Sequence, residues 1–515
     1  MKRRDLLKKG LAVSVAGMAG LELTTGGAIA AQAGARPDGI AGNGRAPGPD
    51  GRRRPVRNII FFAYDGFNYE DLAVARYFSL RNGAGPLHIE RLLGAGAAGS
   101  MTTHSLTSVV TDSAAATSAW AAGRKVVNGA LSMYPDGRPL TTILELARDA
   151  GKATGLVTTT RLTHATPAGW IAKTTDRGLE DDIALQYFDF RPHVLLGGGS
   201  GHFTAGGRED GRDLEADFRQ AGYQVLREVA DLERVRGDRL LGAFTEGHLP
   251  YEIDRRFQSL PGPSLAQITR AGLAVLDRQP GGFVLQIEAG RIDHANHAHD
   301  PGGSLWDVLA ADEALALVLD YVDRTPDTLL LMASDHATGG QVAFGAGPAY
   351  NLSTQALQLL GRRRASYSYL RSVLPRRPTA EQVRDGVHSY FGISLNGNQA
   401  EEGARVLARE LRLGHRDAHS LQPANSFNAV VSQSTPGDLD RANVHFATGA
   451  HTAGLVPVAA YGAWDGPANL GVVDNTELFG WMASALGTDF RNPEMSEDEA
   501  LRLTASAPPR PMAVL

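Results

Sequence analysis

Short runs of consecutive apolar residues punctuate this chain, and the strongest of them end on a polar or charged side chain. The runs 56–63, 154–159, 194–196, 283–287, 328–333 and 456–461 lack the alternation of a half-solvated strand. They read instead as strands covered on both faces, the pattern of a parallel sheet. Helical periodicity fills the stretches between: Val308, Ala311, Leu315, Val318, Leu319 and Val322 share one helical face and are predicted core. Strand–helix alternation over this length predicts an α/β fold, a large doubly wound, mostly parallel central sheet with helices on both faces. Ligands of such sheets bind outside the carboxyl ends of the strands. Three runs deliver a carboxylate there: Asp65 after Phe61-Phe62-Ala63, Glu288 after Leu285-Gln286-Ile287, and Asp335 after Leu331-Met332-Ala333. If those strands are neighbours, all three meet on one rim.

The pattern changes between residues 341 and 445. Arg362-Arg363-Arg364 and Arg376-Arg377-Pro378 interrupt it, and 379–390 and 400–413 read as amphipathic helices. This segment is expected to be an insertion outside the sheet, a cap-like lid or part of an oligomer interface. The catalytic α/β domain is then 55–340 with 446–490, followed by a tail at 491–515.

The N-terminus reads as a leader. Lys2-Arg3-Arg4-Asp5-Leu6-Leu7-Lys8 resembles a twin-arginine export signal, followed by a mildly apolar, Gly- and Ala-rich stretch and small-residue cleavage sites by Ala30 and Ala33. Residues 1–33 are therefore expected to be a signal that engages the twin-arginine translocation machinery, and 34–54, rich in Gly, Pro and Arg, a linker. Whether such a signal is cleaved or kept as an anchor stays open. The expected location is periplasmic or extracellular. The segment carries five basic residues against Asp5 and Glu22, so the formal charge of −5 becomes −8 from Gly34 onward. An acidic protein of this kind is not expected to bind nucleic acid. Cysteine is absent, which excludes disulfides and thiolate metal sites and leaves any metal to His, Asp, Glu and hydroxyl oxygen.

Candidate ligands of that type cluster. Asp293 and His297 are four residues apart in Glu288-Ala289-Gly290-Arg291-Ile292-Asp293-His294-Ala295-Asn296-His297, so one helical turn would aim both the same way. Asp335-His336 is a second carboxylate–imidazole pair, and His451 adds another imidazole. In Val110-Thr111-Asp112-Ser113-Ala114-Ala115-Ala116-Thr117, Asp112 has the chemistry of a helix cap. Ser113 then sits where free N–H groups favour an anion such as a phosphoryl group.

Taken together, Val110–Ala116, His164-Ala165-Thr166-Pro167, Glu288–His297, Ser334-Asp335-His336 and His451-Thr452-Ala453-Gly454 resemble the alkaline phosphatase family, in order and context, from about Arg57 to Gly487. The resemblance implies a phosphomonoesterase working through a phosphoserine at Ser113. It implies one zinc ion on Asp293, His297 and His451, and a second on Asp65, Asp335 and His336 with the Ser113 oxygen. A third ion, usually magnesium, would lie on Asp65, Thr166 and Glu288. Arg177, thirteen residues beyond His164, would fork onto the substrate phosphate with Asp112 orienting it. His164 and His294 stand near the third position, where the enterobacterial members have aspartate and lysine. Two histidines in place of those residues weaken the preference for a hard cation there. A homodimer and inhibition by inorganic phosphate are also implied. The competing expectations are a phosphodiesterase or sulfatase of the same superfamily, and a non-catalytic exported phosphate- or metal-binding protein.

Overall fold

The computed structural model describes residues 56–345, 350–413, 424, 426–432 and 442–505. The expected leader and linker lie outside the described residues, as do parts of the expected insertion and tail. The strands in chain order are β1 (Asn58–Tyr64), β2 (Ala97–Thr102), β3 (Ala153–Arg161), β4 (Val194–Gly198), β5 (Gln224–Leu226), β6 (Leu240–Ala243), β7 (Phe283–Ala289) and β8 (Thr328–Ser334). Four two-residue strands follow, β9 (Ala337–Thr338), β10 (Val342–Ala343), β11 (Val444–His445) and β12 (His451–Thr452), and then β13 (Val456–Gly462) and β14 (Asn469–Asp474). Ten of these form one sheet in the order β14-β2-β13-β8-β1-β7-β3-β4-β6-β5.

The apolar runs have the structure their pattern predicts. All seven residues of β1, of β7 and of β8 are buried. Successive residues of β1 serve opposite cores: Ile59, Phe61 and Ala63 join the cluster on one face, and Ile60, Phe62 and Tyr64 that on the other. Helices Ser113–Ala122, Ile143–Asp149, Glu180–Phe190 and Glu477–Ala485 cover the first face. Tyr69–Arg81, Leu265–Leu276 and Pro301–Arg324 cover the second. Each fully buried Leu, Ile or Phe in these layers stabilises the platform by about 1.5–3 kcal/mol.

Two expectations need correction. The run 456–461 is a strand, but β13 is antiparallel to both its neighbours, β8 and β2. Burial on both faces is what any strand flanked by partners and covered by helices shows, whichever way it runs, so the apolar pattern does not encode direction. Glu288 does not follow its strand; it is the next-to-last residue of β7, paired in register with Ala63 on one side and Thr158 on the other.

Residues 365–407 and 427–431 stand off the sheet around a core of their own, built from Tyr367, Leu370, Val387, Phe391, Phe427 and neighbours, while Leu357 and Leu360 still pack into the core of the second face. The two amphipathic segments form helices Ala380–Phe391 and Gly397–Leu413. Arg363, at the junction between this core and the main layers, is 1% exposed. Its guanidinium lies 5.1 Å from the ring centroids of both Tyr367 and Phe391, with Nη1 3.5 Å from Asp300 Oδ1. Asp300 caps helix Pro301–Arg324 through the Gly302 and Gly303 N–H groups and accepts a third bond from Tyr367 N–H at 2.6 Å. Among the described residues no helix is long and apolar enough to cross a membrane.

Candidate metal centre

The central strands β8, β1 and β7 are adjacent and parallel, so their carboxyl ends bring Asp335, Asp65 and Glu288 to one rim. The turn after β1 packs hard against the helix Arg291–His297. Gly66 has φ +73°, and a Cβ placed there would meet the Asp293 Cα at 2.6 Å. Only glycine allows that approach. Within the helix, the i, i+4 spacing holds Asp293 Oδ1 3.3 Å from His297 Nε2.

Three groups of ligand-type atoms result, each within 4.8 Å of one another: Asp293, His297 and His451; Asp65, Asp335 and His336; and Asp65, Glu288 and His164. The Thr166 hydroxyl reaches Asp65 Oδ2 at 3.2 Å. The imidazoles of the first two groups are each fixed by the far nitrogen. His297 Nδ1–H donates to Gly449 O (2.6 Å) and His451 Nδ1–H to Thr111 O (2.8 Å). The Thr338 hydroxyl donates to Asp293 Oδ1 at 2.5 Å and accepts from His336 Nδ1–H at 3.2 Å. The Nε2 lone pairs of all three rings are left facing the carboxylates, the arrangement that metal-ligating histidines show. His297 Nε2 and His451 Nε2 are only 3.0 Å apart.

The electrostatics of this rim are those of charges crowded out of water. Burial, then the Asp335, Asp293 and Glu288 charges, push Asp65 well above the ordinary carboxylate range. Burial lifts Glu288 to about 7. Asp293 goes the other way: against its burial, the His297 imidazole holds it low. Burial also keeps His164 and His451 well below an ordinary histidine, helped by Arg177 in the first case and by His336 in the second. Four buried oxygens, Asp65 Oδ1, Glu288 Oε1, Asp293 Oδ2 and Asp335 Oδ2, accept no hydrogen bond. Orphaned buried carboxylate oxygens are costly unless a cation meets them. The donor set, oxygen and imidazole with no thiolate, fits divalent cations; the third group is the richest in oxygen, from Asp65, Glu288 and the nearby Thr166, beside the one imidazole of His164.

Ser113 opens the helix Ser113–Ala122, all ten of whose residues are buried, and Asp112 is its N-cap, accepting from Ala115 N–H at 2.9 Å. The Ser113 hydroxyl lies 3.2 Å from His336 Nε2. The other Asp112 oxygen takes Arg177 Nη1–H at 3.1 Å, while Arg177 Nη2 donates to His164 Nε2 at 3.1 Å. Asp112 is thus both the cap and the partner of the arginine.

The sequence profile described as Alkaline phosphatase matches residues 56–488. The chain belongs to the alkaline phosphatase family. It is 37% identical over 316 residues to the repressible alkaline phosphatase of Saccharomyces cerevisiae, covering 56% of this chain and 56% of that protein. It is 32% identical over 375 residues to alkaline phosphatase 3 of Bacillus subtilis, covering 72% of this chain and 75% of that one. The crystal structure of Thermus thermophilus alkaline phosphatase superposes with a TM-score of 0.84 at 45% identity, covering 92% of this chain and all of that one. The chain thus spans little more than half the length of the yeast relative and the whole of the Thermus structure.

Against that family frame, Asp65, Asp112, Ser113, His164, Thr166, Arg177, Glu288, Asp293, His297, Asp335, His336 and His451 gather at one rim. His294 stands apart from the three groups. It accepts from Arg291 Nη1 at 2.5 Å and meets the rings of His164 and His248 at 5.4 and 4.4 Å. Sequence reasoning missed four polar neighbours. Thr158 and Thr160 both bond to Glu288 Oε2. Thr338 bridges Asp293 and His336. His248 pairs with His294 and lies 2.5 Å from Arg161 Nη1. The i, i+2 spacing of Thr158 and Thr160, which places both on the face of β3 that meets Glu288, was the available signal.

Proposed function

We propose that this chain hydrolyses phosphate monoesters, the activity of the family to which it belongs, through a phosphoserine at Ser113. The observation that carries the reading is the convergence of three things at one place. The Ser113 hydroxyl lies against His336, Arg177 is held by Asp112, the residue before Ser113, and unpaired carboxylate oxygens line the same rim. The Ser113 oxygen attacks phosphorus as the bond to the alcohol oxygen breaks. Arg177 grips two non-bridging oxygens with a planar fork that lysine could not copy. Its Asp112 and His164 contacts fix the fork before substrate arrives. The first N–H groups of helix Ser113–Ala122 favour the anion then borne on Ser113. A water displaces serine in the second half of the cycle, releasing inorganic phosphate, which also fits the site as an inhibitor.

Asp293, His297 and His451 would hold one zinc ion, Asp65, Asp335 and His336 a second, and Asp65, Thr166 and Glu288 a magnesium-type ion, with His164 beside it and its Nε2 taken by Arg177. When bound, ions so placed stabilise the attacking and leaving oxygens of an in-line displacement. The twin-arginine-like leader supports export to the periplasm or beyond, and the family supports a homodimer. The expected result is turnover of p-nitrophenyl phosphate that is lost on chelation and restored by zinc with magnesium. Metal analysis should give about two zinc and one magnesium per chain. Faster turnover of bis-p-nitrophenyl phosphate would replace this reading with a phosphodiesterase. Chelator-insensitive turnover would end it.

A further inference from the structure

The helix that carries Asp293 and His297 ends in an unusual way. Beyond its cap at Ala298, His299 N–H folds back to Asn296 O at 3.1 Å and Asp300 N–H to Ala295 O at 2.8 Å. This paired closure requires left-handed backbone at the residue after the cap, where glycine is the usual occupant. The occupant here is His299, at φ +53°. A side chain in that region is strained, and such strain persists where the surroundings over-determine it.

The surroundings of His299 do so. The residue is 0% exposed. Its ring stacks on Phe446 with centroids 5.2 Å apart and planes 20° from parallel. Its Nε2 is 2.9 Å from Thr448 O; a carbonyl only accepts, so Nε2 carries the proton. The next carbonyl, Gly449 O, takes the Nδ1–H of His297. Two imidazoles from one helix end thus donate to adjacent carbonyls of the segment that leads into His451.

We infer that His299 is a positioning residue for the Asp293–His297–His451 site. Its ring pins residues 446–449 to the helix end and so sets the 3.0 Å between His297 Nε2 and His451 Nε2. A cation held between those nitrogens depends on that separation, and the helix alone supplies only two of its three ligands. The inference rests on the reading that this group holds zinc. A glycine at 299 would relieve the backbone and lose the clamp, which separates positioning from plain structural support.

The test compares wild type, His299→Gly and His299→Asn in the full chain by zinc competition against a chromophoric chelator, alongside thermal melts of the metal-free proteins. In His299→Gly relief of the backbone offsets part of the cavity the imidazole leaves, so the metal-free melting temperature should fall only modestly, while one zinc per chain weakens about 10- to 100-fold, as loss of a partner behind a metal-ligating histidine does. His299→Asn, which tolerates left-handed backbone and keeps an amide donor, should recover part of that loss. Equal zinc affinity in wild type and His299→Gly overturns the inference. So does a melting temperature that falls in step with zinc affinity without recovery by asparagine. A wild-type chain that takes up no zinc overturns the phosphatase reading and this one together; wild-type uptake matched by His299→Gly overturns this one alone.

Discussion

Asp65 and Asp300 are both removed from water, at 0% and 1% exposure, yet they are kept there in opposite ways. Asp300, at the joint between the sheet layers and the outlying core of residues 365–407 and 427–431, receives N–H donors from Gly302, Gly303 and Tyr367 and the Arg363 cation. Asp65, on the rim, has one oxygen with no donor and the other met only by a threonine hydroxyl, with three carboxylates around it. A folded chain gains nothing from such an arrangement by itself, since like charges and lost hydration both oppose it. The joint is built for cohesion. The rim spends cohesion on readiness to receive cations, and it stands only because the dry platform of β1, β7 and β8 beneath it is rigid.

If the two regions differ in this way, changes in each should damage different properties. The largest effect is expected at Ser113. Ser113→Ala should cut kcat by at least about 10³-fold and remove the trapped phosphoenzyme, with the thermal melt nearly unmoved because the hydroxyl makes a single contact. A normal burst of product in the mutant would reject the nucleophile. In the outlying region, Leu370→Ala should cost about 2–5 kcal/mol of stability by opening a cavity. The inhibition constant for inorganic phosphate should stay the same in molecules still folded. A shift in that constant would erase the contrast between the regions.

Metal removal adds a pH dependence of definite sign. Glu288 is raised to about 7 in the metal-free fold, so between its unfolded value of roughly 4.5 and that point the folded state holds a proton the unfolded chain has lost. Chelated protein should therefore lose stability as pH rises across that window, by on the order of 3 kcal/mol from this group, and level off above it. Metal-loaded protein should fall less steeply, because cations replace the proton on Glu288, while buried acids away from the rim, Asp71 raised to about 8 and Asp254 to about 6, act alike in both forms. Urea melts at pH 5, 6 and 7 decide it; parallel curves with and without metal would refute the account. The smallest effect belongs to Arg177→Ala, which removes a charge-assisted fork and should weaken phosphate inhibition by about 1.5–3 kcal/mol. An unchanged inhibition constant would take the arginine out of the site.

Much of the sheet was legible because its strands are apolar without interruption, a pattern that helices covering both faces impose. Asp65 and Asp335 were legible because charge directly after such a run is costly without a reason; Asp293 and His297 showed in their four-residue spacing, and Thr166, His164 and Arg177 only through the resemblance to the family. What escaped notice has equally physical causes. β2, Ala-Ala-Gly-Ser-Met-Thr, has too little aliphatic bulk to stand out. Thr158 and Thr160 look like ordinary strand formers, since threonine favours strands for reasons unrelated to a neighbour's carboxylate. His248 lies in the loop after β6 (Leu240–Ala243), and its meeting with His294 depends on the fold of distant segments. The left-handed turn at His299 has no signature, because histidine is not a residue that announces it.

The single reversed strand also decides which part of the chain could join the rim. In a parallel sheet every strand leaves toward the ligands, so each contributes only what comes after it. β13 runs the other way and arrives from that side, with Val458 beside Ala333 of β8. The segment preceding it is therefore the one delivered to the pocket, and His451 could be recruited from upstream. One inverted element thereby opens the cluster to a stretch of polypeptide that uniform winding would have carried to the opposite edge.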